Sequence, residues 1–255
     1  MTHSEAAQPA TLCPMSLRDL RACLVLGWRD FTRAPLFGVF FAGAYVAGGW
    51  LMLWALTVKG ALWWVLPAAA GFPILGPFVA CGLYDVSRRL EAGEALSWTE
   101  VLGAVWRQKD RQIPAMAAVV VVFFLFWNFL AHMIFALFLG LSTMTNITSS
   151  VAVLMTQEGL TMLAIGSMVG AVLAGTLYSV TVISLPMLMD REVDFVTAMI
   201  TSVSVVLNNP LVLGVWGVGI AVATFAAMLP WFLGLFVVFP VLGHASWHLY
   251  RRAIR

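Results

Sequence analysis

The stretch from Ile113 to Leu139 reads IPAMAAVVVVFFLFWNFLAHMIFALFL, and no Asp, Glu, Lys or Arg interrupts it. A hydrocarbon core roughly 30 Å thick is crossed by about 20 apolar residues in a helix. This segment therefore predicts a membrane span. Working outward, equivalent runs lie at about Leu36–Val58, Leu62–Tyr84 and Leu160–Met189. The run from Leu211 to Leu249 is too long for one helix and divides at Leu229 and Pro230 into two. The expected fold is all-α: a polytopic membrane protein with six transmembrane helices.

Composition agrees. The chain is 62% hydrophobic and 10% charged, which leaves too little polar surface to coat a soluble globule. Its 14 basic and 12 acidic residues include no basic block, so nucleic acid is excluded as a partner and membrane lipid is expected. Cys13, Cys23 and Cys81 form no CxxC pair, and no disulfide is expected. Residues 1–15 contain Glu5 and no apolar core, so they predict a disordered tail rather than a signal peptide, with residues 16–255 as one domain.

Basic residues near span ends are retained in the cytoplasm. Six spans put Arg18, Arg21, Arg29 and Arg33, then Arg88, Arg89, Arg107, Lys109 and Arg111, on one side. Arg191, Arg251, Arg252 and Arg255 join them, leaving only Lys59 opposite. Both termini are expected in the cytoplasm. The Ser- and Thr-rich loop from Gly140 to Gly159, with its Asn146 sequon, is expected outside.

Three further segments show helical amphipathicity. From Ser16 to Arg33, Leu17, Leu20, Leu24, Trp28 and Phe31 share a face beside the arginines, with Ser16 as N-cap. Trp98 to Arg111 and Asp194 to Leu207 behave likewise, the latter through Phe195, Val196, Met199, Ile200 and Val203. All three predict interfacial helices. Asp19, Trp98 and Asp194 precede Pro35, Pro114 and Pro210 by a constant interval, which suggests three parallel repeat units over 16–89, 97–191 and 192–255. Gly166, Gly170 and Ala174 offer a small-residue face for helix packing. Pro67, Pro73, Pro77, Pro186 and Pro240 are expected to kink their spans.

Ionisable groups inside spans are functional pointers because lipid penalises them. Asn128 and His132 sit one turn apart, as do His244 and His248. His132 lies roughly 28 Å from the cytoplasmic end of its span and His244 only about 8 Å from its own, so no single haem joins them. Cys81 and Asp85 should share a depth with His244 and His248, and those four could bind a soft or borderline metal. The alternative is a belt in which Trp247, His248 and Tyr250 anchor the helix end. No cofactor is expected, with haem or copper the ones these residues would suit. There is no phosphate loop, dinucleotide fingerprint, HExxH or nucleophile elbow.

The closing segment Pro240–Arg252 (PVLGHASWHLYRR) resembles an uncharacterised family of predicted bacterial integral inner-membrane proteins. So do Gly82–Arg89 (GLYDVSRR) and Leu188–Asp194 (LMDREVD) leading to Asn209 and Pro210. The likeness runs from about Ser16 onward. It implies a domain of unknown function with no assigned residues, some members of which carry the label of a cytochrome c oxidase subunit. A catalytic haem-copper subunit needs many more spans and histidines, so that label does not fit the chain as a catalytic subunit, whereas an accessory or assembly role beside a respiratory complex is compatible with the resemblance. Three classes stay open: a non-catalytic component that binds other membrane proteins, a transporter for a small uncharged or hydrophobic solute, and a metal or haem protein.

Overall fold

The computed structural model describes residues 11–59, 62–140 and 154–254, and only the backbone of residues 55, 56, 58, 59 and 62–75. The tail up to Ala10, Asn146 with most of its loop, and Arg255 lie outside the described residues, as do the side chains of Lys59, Pro67 and Pro73. Among the described residues there are ten α-helices: α1 Leu17–Arg33, α2 Pro35–Lys59, α3 Leu62–Ala92, α4 Trp98–Arg107, α5 Ile113–Leu139, α6 Gln157–Thr181, α7 Ser184–Asp190, α8 Phe195–Asn208, α9 Pro210–Met228 and α10 Leu235–Ala253.

Among the described residues, four segments are long and apolar enough to cross a membrane: Pro35–Trp54 of α2, α5, the α6–α7 pair over Gln157–Asp190, and α9. Helices α3 and α10 stand where spans two and six are expected but are not among those four. The reason in α10 is its second half, where His244, Ser246, His248, Arg251 and Arg252 dilute an apolar start. These two helices nevertheless form the centre of the packing. Helix α3 touches α2, α4, α5, α7 and α10, and α10 also touches α1, α2 and α9.

The three amphipathic helices obey one rule. Buried positions are Leu20, Cys23, Gly27 and Asp30 in α1, Val101 and Ala104 in α4, and Ala198, Ser202 and Val205 in α8. In each helix this docking arc is built largely from small residues, and the bulky apolar residues stay exposed beside it, with Trp28, Trp106 and Ile200 as examples. The predicted apolar stripes overlap the docking faces in part, through Leu20, Val101 and the core-packed Phe195 and Met199, but much of each stripe stays exposed. Helix α1 lies lengthwise and antiparallel along α10. Arg252 pairs with Asp19 at 2.6 Å near one end, and Pro240 meets Gly38 just beyond the other.

Caps sit where the sequence places them. The Asp19 carboxylate accepts the Ser16 amide and hydroxyl, and Asp194 accepts the Thr197 amide at 2.9 Å. Ala34 and Asn209 end α1 and α8 with nearly the same backbone, φ −133° with ψ 52° and 51°. Each precedes a proline, and the proline ring disfavours helical geometry in the residue before it. The third junction differs, with Gln112 in helical geometry before Pro114. Of the prolines, Pro186 stands beside an actual break between α6 and α7. There the Ile183 amide donates to Ser202 Oγ, whose hydroxyl donates to the Ser179 carbonyl. Helices α3 and α10 run unbroken through Pro77 and Pro240.

The α9–α10 turn falls at the expected Leu229–Pro230 break. It places Trp231 and Phe232 at φ 54° and 65°, a costly conformation for bulky residues. The Trp50 indole N–H donates to the Trp231 carbonyl, and the Phe232 ring covers Gly49. The expected tail is held from Leu12 onward: Leu12 bridges Ile254, the Cys13 amide donates to the Ala253 carbonyl, and the Met15 amide donates to Asn209 Oδ1 at 2.7 Å.

A Cβ at Gly27 would lie 2.6 Å from the Val241 carbonyl oxygen and 2.7 Å from the Ala245 nitrogen, both backbone atoms that cannot step aside. Gly27→Val should therefore cost about 1–3 kcal/mol, measured by SDS-titration unfolding. Gly214→Ala, which meets nothing within 4 Å, should change stability by no more than about 0.5 kcal/mol.

Candidate functional site

The close approach of α1, α3 and α10 creates a buried polar cluster. Gly27 admits α10 against α1, and Gly243 admits the Leu83 side chain of α3. At this junction Ser87 Oγ lies 2.9 Å from Asp30 Oδ2 and 2.8 Å from His244 Nδ1, while His248 Nε2 lies 2.7 Å from the same Asp30 oxygen. All four residues are buried, His244 and Ser87 completely.

Proton counting constrains this chain. A serine hydroxyl has one proton to give, so Ser87 cannot donate to both neighbours. With Asp30 ionised, His248 Nε2–H and the Ser87 hydroxyl both donate to it, and His244 Nδ1–H donates to Ser87. His244 Nε2 then has no protein partner among the described residues. The arrangement can bind a carboxylate charge between helices and orient two imidazoles.

Of the four candidate metal ligands, the structure unites the two histidines through Asp30 and Ser87, and turns Asp85 elsewhere. The Asp85 carboxylate accepts Arg88 Nη2 at 2.7 Å on one oxygen and Arg89 Nε at 2.8 Å on the other. Arg89 continues to Glu100 at 2.9 Å, tying α4 to α3. Cys81 is fully buried in the apolar core. Among the described residues, no three His, Cys, Asp or Glu side chains converge as a metal would need. The belt residues are bound rather than free: Trp247 Nε1 donates to Glu91 at 3.0 Å, and the Tyr250 hydroxyl to Asp190 at 2.6 Å. Asn128 and His132 bond to carbonyls of their own helix, those of Phe124 and Asn128, and His132 is exposed.

Asp30 and Ser87 are the functional candidates that hydropathy and motif reading pass over. The available signal was positional: Asp30 falls in register with Leu20, Cys23 and Gly27, a face of small residues where an acid is out of place unless a partner meets it.

Cavities also open among the described residues. A polar one of 480 Å³ opens beside His248, walled by Asp19, Glu91, Arg251 and Arg252. An apolar cleft of 620 Å³ lies between α5, α6 and α9, lined by Phe123, Trp127, Gly170, Ala174 and Phe225. A smaller space of 320 Å³ adjoins it, sharing Trp127, Ser167 and Gly170. Gly170 of the predicted small-residue face receives the Trp127 ring, whereas Gly166 meets no side chain within 4 Å.

Burial raises the Cys23 thiol to about 11. Maleimide should therefore modify the partly exposed Cys13 in the native protein, leaving Cys23 and Cys81 for labelling only after denaturation. Asp30→Leu should cost about 3–5 kcal/mol, the usual loss when one partner of a buried pair is removed, and should expose Cys23 to maleimide as α1 loosens. Hydrogen bonds from Ser16 hold the Asp19 carboxyl below its usual range. Its contribution is then complete above about pH 4 and lost as pH falls through the lowered value. The stability difference between the natural protein and Asp19→Asn should accordingly stay constant from pH 7 to 5 and shrink only below about pH 4.

Residues 65–190, from within α3 to the end of α7, match a family described as predicted integral membrane protein, a domain of unknown function (DUF2189). Gly82–Arg89 lies inside that match and Pro240–Arg252 outside it. The description attaches no oxidase role. No curated protein and no solved structure matches the chain. The chain is an integral membrane protein of helices in contact with lipid.

Proposed function

We infer that this protein is a non-catalytic accessory or assembly component of the bacterial inner membrane, which crosses it six times with both termini in the cytoplasm and engages other membrane proteins. The observation that carries this reading is the contrast between its parts. The ends that bear the basic residues are knitted together by Arg111–Glu192, Arg251–Glu91, Arg251–Asp190 and Arg252–Asp19. By contrast, in the most apolar part of Gln157–Asp190 only 6% is buried.

Between α5, α6 and α9 the exposed wall presents Ser167, Ala171 and Ala174. Small side chains let helix backbones approach closely, which is how membrane helices associate. The matching hinges at Ala34 and Asn209 support relating the first and third of the three sequence units. The ion pairs support placing the ends of α3, α7 and α10 on the side where α5 begins. The same cleft favours a second reading, a transporter for a small uncharged or hydrophobic solute, because its lining is apolar.

Purification in mild detergent from the native membrane, without overexpression, separates the two. Specific membrane proteins should accompany the chain and be lost in Ala174→Trp, which fills the cleft from α6. A chain that comes out alone, and whose proteoliposomes take up an apolar solute that Ala174→Trp blocks, would replace the accessory role with transport.

A further inference from the structure

The fold treats the arginines of α1 differently from those of α3 and α10. Arg88 and Arg89 share Asp85, Arg111 takes Glu192, Arg251 takes Glu91 and Asp190, and Arg252 takes Asp19. By contrast, Arg18, Arg21, Arg29 and Arg33 are all exposed and make no ion pair or side-chain hydrogen bond among the described residues. Their own helix has no acid to offer them. Asp19 is engaged by Ser16 and Arg252, and Asp30 faces inward onto Ser87 and His248. Retention of basic residues in the cytoplasm accounts for the sign of this charge, but not for its being left without partners.

The same side of the helix carries exposed Leu17, Leu24 and Trp28. At about 100° per residue, these three fall in one row and Arg18, Arg29 and Arg33 in the next, with Arg21 between them. Both rows lie clear of the docking positions Leu20, Cys23, Gly27 and Asp30. A row of bulky apolar side chains beside a row of guanidiniums suits the boundary between acyl chains and phosphates. Only Ala34 separates α1 from α2, whose Pro35–Trp54 segment is long and apolar enough to cross the membrane. Arg29 thus stands about 9 Å of helix before the start of a span, within reach of the headgroups.

We propose that the outward face of α1 binds anionic phospholipid, with Arg18, Arg21, Arg29 and Arg33 on headgroup phosphates and Leu17, Leu24 and Trp28 among the acyl chains. Charge complementarity selects the lipid class. Phosphatidylcholine and phosphatidylethanolamine balance their phosphate with their own ammonium, whereas phosphatidylglycerol brings a net negative charge to a face that has no acid free. The guanidinium fork matches phosphate oxygens in pairs. This surface is separate from the cleft between α5, α6 and α9, and the accessory role can stand or fall without it.

The full chain would be reconstituted in phosphatidylcholine vesicles carrying a trace of spin-labelled phosphatidylglycerol or spin-labelled phosphatidylcholine. Electron paramagnetic resonance then reads the share of each label held at the protein surface. Phosphatidylglycerol should associate several-fold more strongly, and the preference should collapse in about 1 M salt, where the screening length falls to about 3 Å. Replacing all four α1 arginines with Gln should bring the two lipids to parity, and replacing all four with Lys should keep most of the preference. Arg18→Gln and Arg29→Gln, taken singly, should each give part of the loss. Arg111→Gln, which removes the same charge from a paired site, and Ala174→Trp, which fills the cleft, should leave the preference unchanged. Protection of Cys23 from maleimide shows in each variant that α1 remains docked.

Equal association of the two lipids with the natural protein overturns the proposal, as does a preference that survives the fourfold Gln variant. A loss in Arg111→Gln as large as that in Arg29→Gln overturns it too, since total charge and not the α1 face would then be read. An acidic protein that co-purifies with the chain and is lost in the fourfold Gln variant, with lipid preference intact, would give this face to a protein instead.

Discussion

A carboxylate held between three helices is the constraint on which this architecture turns. Asp30 is 5% exposed, and an ionised carboxylate removed from water is costly unless every part of its charge is met by hydrogen bonds or an opposite charge. Its partners come from α3 and α10, neither adjacent to α1 in sequence. The first helix is therefore satisfied only when the last one is in place. Hydrogen bonds of 2.7–2.9 Å also dictate how near the backbones must come, and Gly27 and Gly243 stand where a larger residue would hold them apart.

That constraint divides the molecule by chemistry. Around Asp30, polar groups are paired in chains: Asp85 with two arginines, Glu91 with Trp247 and Arg251, Asp190 with Tyr250 and Arg251. Such bonds are directional, so they fix geometry in a way that apolar contacts between lipid-facing helices do not. Around α6 the reverse holds, with apolar side chains, little burial and a cleft instead of a lock. In lipid no hydrophobic force drives helix against helix, and close packing of small residues must supply the association. One region is rigid by construction, and the other keeps its contacts available.

The outlines of this fold were legible because helix length and apolarity are local properties. The α5 bounds, the α9–α10 break at Leu229–Pro230, and the starts of α1, α4 and α8 follow from runs, caps and prolines. Docking faces were not legible in the same way. In α1 the apolar stripe gives only Leu20 to the docking face, while Leu17, Leu24 and Trp28 are exposed and the helix otherwise docks through Cys23, Gly27 and Asp30. A residue that docks well against a neighbouring backbone is small, and small residues leave no mark on a hydropathy profile. The candidate site was half visible for the same reason. His244 and His248 stand out by spacing, and Asp85 by its depth. What those histidines touch depends on which helices meet, and that choice lies with Gly27 and Gly243, not with the charged residues themselves.

The ends of the chain show how the pieces are coupled. Asn209, at the hinge between α8 and α9, accepts the Met15 amide on Oδ1, and its side-chain amide is placed 3.5 Å from the Cys13 carbonyl. The same short segment pairs with Ala253 and Ile254, and α1 then begins at a cap whose acid also takes Arg252. The approach to α1 is thus set by the third amphipathic helix and the final turn of the chain before Asp30 is reached. A displacement at the Asn209 hinge would be felt by Met15, by the Ser16–Asp19 cap, and through α1 by the buried carboxylate. The polar cavity lies along that route, walled by Met15, Asp19 and Arg252. The Asp19–Arg252 contact therefore serves both ends at once, completing the cap of α1 and holding the first helix against the last.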